Sequence, residues 1–224
     1  MSNGISCDIA IVFLMTEKGI GHKGISAFIV EKGTVGFSHG KKEDKLGIRG
    51  SDTCELYFED CNVSAENLIG EEGKGFKIAL GTLDGGRIGI ASQALGIARS
   101  ALDRSVEYAN ERKQFGKTIG SFGAIQDKIA TIATNVDASR MLIHKAAKLK
   151  DVGKPFSKEA AMAKVFASQT AMDAATDCVQ IFGGYGYMQE YGVERLMRDA
   201  KITQIYEGTS EIQQLVIARS VLGD

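Results

Sequence analysis

The chain has 224 residues, of which 44% are hydrophobic and 25% charged, enough for one large or two small domains with a buried core. Its formal net charge of −1 excludes the strongly basic surface that nucleic acids or anionic membranes require. No apolar run approaches the roughly 18–20 residues that span a bilayer, so we expect no membrane-spanning segment. The three histidines and four cysteines are scattered without metal-ligand spacing, so we expect no metal site.

The first 70 residues predict strands separated by glycine-rich turns. The continuous apolar run Ile9–Met15 is typical of a buried strand, and Ile25–Val30 predicts a second strand. In Cys54–Glu59, apolar and polar residues alternate as in a half-buried strand. We therefore expect a partial β domain over residues 1–70.

From residue 71 onward the apolar residues recur at helical spacing. One long helix is expected from about Phe76 to Asn110, and another begins after Ser121. Ser157 is expected to cap a third, Val193–Lys201 predicts a short one, and a last helix begins near Ser210. The predicted fold class is α+β: a partial β-barrel or sheet domain over 1–70, then an up-and-down four-helix bundle over 71–224.

Glu207 is a lone carboxylate beside Gly208, directly before the last predicted helix. Thr209 and Ser210 are both suited to cap that helix, and Ser210 with Gln213 fits a capping box. A carboxylate held on such a bend and partly dehydrated suits a general base. The alternative is that Glu207 is only a favourable partner of the helix dipole.

The segment Tyr206–Ser210, preceded by Met197–Ile202, resembles the C-terminal signature of the acyl-CoA dehydrogenases. Further blocks resemble that family in the same order and cover essentially the whole chain: Lys45–Ser51, Leu56–Cys61, Gly70–Phe76, Gly85–Ile88, Glu111–Lys117 and Gln180–Gly186.

The resemblance implies dehydrogenation of an acyl-CoA thioester between its α and β carbons, with FAD receiving the hydride. Glu207 would be the base for the α-proton, and its backbone N–H would donate to the thioester oxygen. In the isovaleryl and long-chain branches the base stands before the arginine of the first long helix, where this chain has Gly86 before Arg87. Leu83–Ala91 most resembles the short-chain, butyryl-CoA type.

The resemblance also implies binding roles for residues that would otherwise be interpreted as an ion pair, a run of charges and the end of a helix. Asp84 and Arg87 would contact the nucleotide part of CoA, although their spacing also fits an ordinary i,i+3 ion pair. Tyr206 and Gly208 would line the thioester pocket. Six residues would reach the FAD of a neighbouring subunit: Arg112, Gln114, Phe115, Gln180, Gly183 and Gly184. Two more, Thr209 and Glu211, would lie near the FAD phosphates.

Members of this family are usually homotetramers, or dimers, of fatty acid β-oxidation that pass electrons to electron-transferring flavoprotein. Bacterial cytoplasm or mitochondrial matrix is therefore expected. The family's N-terminal helical domain and part of its β domain have no counterpart here, so we expect exposed apolar strand edges, poor FAD binding and little turnover in the isolated chain.

Two alternatives remain open for such a chain: a non-catalytic helical oligomerisation module, or one half of a split enzyme. The flavin chemistry of nitroalkane oxidases is disfavoured, because those relatives place Asp where this chain has Glu207.

Overall fold

The computed structural model describes residues 1–223, which form two compact units. The first unit is Met1–Thr82 and the second begins at Leu83, within the longest helix. The domain boundary proposed at residue 70 stays a prediction. None of the described helices is long and apolar enough to cross a membrane.

The first unit contains two small antiparallel sheets. Strands β1 (Ile9–Met15) and β2 (Ile25–Glu31) pair along their whole length. Strand β3 (Phe37–His39) pairs with β4 (Leu56–Phe58), which is only the centre of the predicted strand over Cys54–Glu59. The β1 and β2 positions confirm the apolar-run predictions.

The prediction that β1 is buried is wrong. Ala10 is enclosed, whereas Ile9 is 54% and Phe13 43% exposed. Among the described strands only β2 pairs with β1, so the other edge of β1 is open, and most of its apolar side chains lack a covering layer. The expected exposed apolar edge is therefore present.

The second unit is helical. Helix α1 (Gly75–Glu111) begins in the first unit, and a short hairpin, β5 (Lys113–Gln114) with β6 (Lys117–Thr118), follows it. The remaining helices are α2 (Gly123–Asp151), α3 (Ser157–Phe182), α4 (Val193–Thr203) and α5 (Ser210–Leu222). The α+β class and the helix order are confirmed, while the described strands close no barrel and the hairpin was not predicted.

Helix α3 packs against α2, α4 and α5, and the core of the bundle is rich in alanine. Alanine has a high helix propensity and a side chain of one methyl group, so alanine faces let neighbouring helices approach closely. The enclosed alanines of this core, called the alanine seam below, are Ala91, Ala94, Ala98, Ala101, Ala163, Ala167, Ala171, Ala174, Ala175 and Ala200.

The prediction that Ser157 caps α3 is wrong. Ser157 is the first helical residue of α3. Its hydroxyl donates instead to Oδ1 of Asp84 at 2.8 Å, and a carboxylate is a strong acceptor for a hydroxyl donor. The predicted cap therefore joins α3 to α1.

Candidate active site

The turn between α4 and α5 holds Glu207 in a strained backbone conformation. Glu207 has φ 55° and Gly208 has φ 86°, so two successive residues are left-handed. The N–H of Ser210 closes the turn by donating to the carbonyl of Gln204 at 3.0 Å. A left-handed residue other than glycine costs on the order of 1–3 kcal/mol and persists only where its surroundings enforce it.

Three consecutive N–H groups of this turn have no acceptor. Among the hydrogen bonds between residues 1–223, none is donated by the backbone N–H of Glu207, Gly208 or Thr209. Free N–H groups at a helix start favour an anion or a developing negative charge. The N–H of Glu207 is therefore available for the oxyanion role that the sequence resemblance implies.

The side chain of Glu207 lies against the backbone of Gly86 on α1. A Cβ added to Gly86 would stand 2.5 Å from Oε2 of Glu207 and 3.0 Å from its Cδ. Only a residue without a side chain leaves room for the carboxylate in this position. The two positions at which the resemblance implies a base, 86 and 207, are thus neighbours in space.

Gln213 contacts this turn instead of forming the predicted capping box. Its fully buried side-chain amide donates from Nε2 to the carbonyls of Glu207 at 3.1 Å and Gly208 at 3.0 Å. The cap of α5 is Thr209, whose hydroxyl accepts from the N–H of Ile212 at 3.5 Å. The capping-box prediction is wrong because enclosure drives the amide toward the two carbonyls.

Lys164 on α3 is completely enclosed, and its ammonium donates to the carbonyl of Gly208 at 2.6 Å. Burial, and next the charge of Arg87, lowers the pKa of Lys164 to about 8, against the opposing influence of Glu207 and Glu211. Sequence reasoning missed Lys164 and predicted only a capping role for Gln213. The available signal was a lysine on a helix face formed largely by alanines.

Asp84 and Arg87 form a hydrogen-bonded ion pair within α1. Nη1 of Arg87 donates to Oδ1 of Asp84 at 2.6 Å, and the arginine is 7% exposed. Its Nε is buried without an acceptor among the described residues. The i,i+3 pair that the spacing suggested is present but enclosed, and the contact with CoA stays a prediction.

Tyr206, directly before Glu207, is half-buried, and its hydroxyl donates to Oε1 of Gln93 on α1. Burial raises the pKa of the Tyr206 hydroxyl, so it remains a donor at neutral pH. No sequence pattern singles out Gln93. Its hydrogen bond fixes the ring of Tyr206 beside the Glu207 turn.

Thr209 and Glu211 lie at the start of α5. Thr209 is the cap, and Glu211 stands exposed in the first turn. A hydrogen bond from Thr209 lowers the pKa of the Glu211 carboxyl, so Glu211 is negatively charged at neutral pH. Of these two predicted cofactor contacts, Thr209 suits an anion better.

A separate cavity of about 440 Å³ brings together four of the predicted cofactor contacts. Arg112, Gln114, Gly183 and Gly184 line it with aromatic rings that include Tyr108 and Tyr185. The guanidinium of Arg112 lies 5.3 Å from the centre of the Tyr185 ring. Flat aromatic walls and a cation fit a planar heterocycle that carries phosphate groups.

Besides Thr209 and Glu211, two further predicted cofactor contacts lie outside that lining. Phe115 is 91% exposed at the tip of the β5–β6 hairpin, with φ 51°. Gln180 is exposed on the last turn of α3, where its carbonyl accepts the N–H of Gly183. The structure places both residues at the surface of this chain.

Residues 73–222 match the family described as acyl-CoA dehydrogenase, C-terminal domain, and residues 1–61 match the acyl-CoA dehydrogenase middle domain. The chain belongs to the acyl-CoA dehydrogenase family. The family resemblance on which the site residues were chosen is therefore confirmed, while the individual roles remain predictions.

Two relatives and one solved structure illustrate the similarity. The chain is 58% identical to the short-chain specific acyl-CoA dehydrogenase of Megasphaera elsdenii, over 99% of this chain and 58% of the relative. It is 56% identical to acryloyl-CoA reductase (NADH) of Anaerotignum propionicum, over 99% of this chain and 56% of that protein.

The structure of butyryl-CoA dehydrogenase from Megasphaera elsdenii superposes with a TM-score of 0.97 at 58% identity, over 99% of this chain and 58% of the other. The chain thus spans less than three fifths of the length of these relatives.

Proposed function

We propose that this protein takes part in the FAD-dependent α,β-dehydrogenation of a short-chain acyl-CoA, with Glu207 as the base for the α-proton. The observation that carries this proposal is the position of the Glu207 carboxylate, packed on the bare backbone of Gly86. The identity to a short-chain specific acyl-CoA dehydrogenase supports the substrate class.

Glu207 would remove the α-proton while the free N–H of the same residue donates to the thioester oxygen. Removal of the proton places negative charge on that oxygen, and a fixed donor stabilises such charge by roughly 3–4 kcal/mol. The strained turn holds the carboxylate and the N–H in one rigid unit, so neither has to reorganise during the reaction. Tyr206 and Gly208 would form the wall beside the thioester.

Arg112, Gln114, Gly183 and Gly184 would hold part of an FAD, and the N-terminus of α5 at Thr209 would face a phosphate. The bound flavin supplies an acceptor for the β-hydride. The cavity fits this cofactor because aromatic rings, a cation and glycines line it. We further propose a homotetramer or dimer, electron-transferring flavoprotein as the electron acceptor, and a bacterial cytoplasmic or mitochondrial matrix location.

Reduction of a short enoyl-CoA is a second candidate, favoured by the 56% identity to acryloyl-CoA reductase. In that direction Glu207, protonated, would deliver its proton to the α-carbon, and a bound, reduced flavin would supply the hydride for the β-carbon. The same turn serves both directions, because the proton moves between the same two atoms.

A visible absorption spectrum tests the proposal. Purified protein is mixed with FAD, with and without a co-expressed N-terminal partner polypeptide, and butyryl-CoA is added under anaerobic conditions. In the preparation with the partner polypeptide, we expect the flavin band to bleach in the wild type and to persist in Glu207→Gln. A protein that assembles without retaining flavin in either preparation would favour the oligomerisation module, and bleaching by Glu207→Gln would overturn the role of Glu207.

A further inference from the structure

The geometry points to Lys164 and Gln213 as positioning residues that hold the catalytic turn by the carbonyl oxygens of Glu207 and Gly208. This inference rests on the proposed role of Glu207 as the base. The two side chains and the two carbonyls are called the carbonyl clamp below.

The clamp is formed by side chains from two different helices. Lys164 of α3 donates to the Gly208 carbonyl at 2.6 Å, and Gln213 of α5 donates to the same oxygen at 3.0 Å. Gln213 also donates to the Glu207 carbonyl at 3.1 Å. Both side chains are fully enclosed, so water does not compete for these donors.

The burial of Lys164 is not explained by an ion pair. None of the ion pairs between the described residues includes it, and the acceptor that the structure gives its ammonium is the Gly208 carbonyl. Enclosing a lysine without a carboxylate partner costs several kcal/mol, which a methionine of similar size would avoid. Because the ammonium contacts the turn at the Gly208 carbonyl, the enclosed lysine serves to hold that turn.

Holding a carbonyl also orients the next N–H group. Because the peptide unit is planar and trans, the N–H points away from the C=O of the same unit. Fixing the Glu207 carbonyl therefore directs the N–H of Gly208, and fixing the Gly208 carbonyl directs the N–H of Thr209. A charged donor on the carbonyl also polarises the peptide unit and strengthens its N–H as a donor.

The clamp also explains how a non-glycine residue stays left-handed at position 207. The strain at Glu207 has to be opposed by contacts that exist only in the strained form. Release of either carbonyl would allow Glu207 to relax, and its carboxylate would leave Gly86. Lys164 and Gln213 therefore act through Glu207 rather than on the substrate.

Hydrogen exchange of the full chain tests the clamp without requiring catalysis. The variants are Lys164→Met and Gln213→Met, which remove the donors at similar volume, and Lys164→Arg, which keeps a charged donor. Thr170→Val is the matched control, because Thr170 is a buried polar residue of the same helix. The probe is the N–H of Ser210, which closes the turn onto Gln204.

We expect exchange at Ser210 to accelerate about tenfold or more in both methionine variants, less in Lys164→Arg, and not in Thr170→Val. Helix α2 should keep its protection in every variant. Unchanged exchange at Ser210, or an equal acceleration throughout the second unit, would overturn the clamp.

Kinetics provide the second readout. In flavin-loaded protein, Lys164→Met should lower kcat about tenfold or more with little change in KM, and Lys164→Arg should recover part of kcat. A rise in KM at constant kcat would contradict a positioning role. If the proposed function is wrong, Glu207→Gln will leave turnover unchanged. The exchange rate at Ser210 still tests the clamp in that case, because it does not depend on turnover.

Discussion

The carboxylate of Glu207 lies against the backbone of Gly86, although the two residues are far apart in the chain: a Cβ on residue 86 would stand 2.5 Å from Oε2. Gly86→Ala should therefore displace the base. Alanine favours the helix by about 1 kcal/mol, so the thermal midpoint should not fall while kcat drops roughly 10- to 100-fold. Steady-state kinetics and thermal unfolding of the same preparation check both.

Gly89→Ala is the control for that variant. Gly89 lies on the same helix and a Cβ there meets open space, so the variant should gain the same helix stability and keep its activity. An equal loss of kcat in both alanine variants would show that the Gly86 contact does not matter.

A carboxylate placed at position 86 on α1 should take over the proposed role of Glu207. Glu207→Gly should abolish dehydrogenation and relieve the left-handed strain, raising the free energy of unfolding by about 1 kcal/mol. Adding Gly86→Glu should restore part of the activity, because a carboxylate from α1 then occupies the same space. A double variant no more active than Glu207→Gly alone would contradict this relationship.

Lys164 should make stability depend on pH in a defined window. Below pH 8 the lysine is protonated in both states; between about 8 and its ordinary value of 10.5 the folded protein loses the proton first. The unfolded state then binds more protons, so stability rises with pH across that window by about 3 kcal/mol, and is constant above it for this group.

Denaturant unfolding of the wild type and Lys164→Met from pH 7 to 10.5 measures this effect. The difference between their free energies of unfolding should shift by that amount in favour of the wild type, because other titrating groups cancel. Arg87, Glu207 and Glu211 are the charged groups that act on Lys164, so Glu207→Gln should lower the pH at which the rise begins. A difference that is constant with pH would contradict the enclosure of a charged lysine.

Gly208 cannot carry a side chain for two reasons. Its φ is 86°, and an added Cβ would meet Nε2 of Gln213 at 2.5 Å. Gly208→Ala should lower the free energy of unfolding by about 1–3 kcal/mol. Shortening Gln213 to alanine in the same chain removes the contact, so a double-mutant cycle should show the two losses to be less than additive. Strict additivity would indicate that backbone strain alone is responsible.

Arg112 should contribute to flavin affinity from the aromatic cavity. Arg112→Met removes the cation beside Tyr185 and should weaken FAD binding about tenfold or more, measured by fluorescence titration. Lys113→Met removes an exposed charge of the same sign from the next residue and should change the affinity little. Equal weakening in both variants would indicate general electrostatic attraction rather than a site.

The helices could be predicted from sequence because their apolar spacing is long and regular, and the strand ranges β1 and β2 because their apolar runs end in glycine-rich turns. The burial of β1 could not, since it depends on what covers the strand. Ser157 and Gln213 were assigned local capping roles, but each bonds to a partner brought close by packing, Asp84 in one case and the Glu207 turn in the other.

Glu207 could be chosen from the sequence through its family signature and its place beside glycine before a helix. Its contact with Gly86 joins residues far apart in the chain, and no local pattern reports such a distance. Lys164 was overlooked for the same reason: only the packed bundle shows that this lysine is enclosed and which carbonyl it meets.

The close packing of the alanine seam sets how near the Lys164 ammonium lies to the Gly208 carbonyl. Ala163 and Ala167 flank this lysine on α3, and both are fully enclosed. Inserting even one or two extra carbons beside it would force the helices apart at a cost of roughly 1–3 kcal/mol. The 2.6 Å between ammonium and carbonyl thus depends on the methyl groups of buried alanines, and a change of volume at these alanines should lengthen that hydrogen bond.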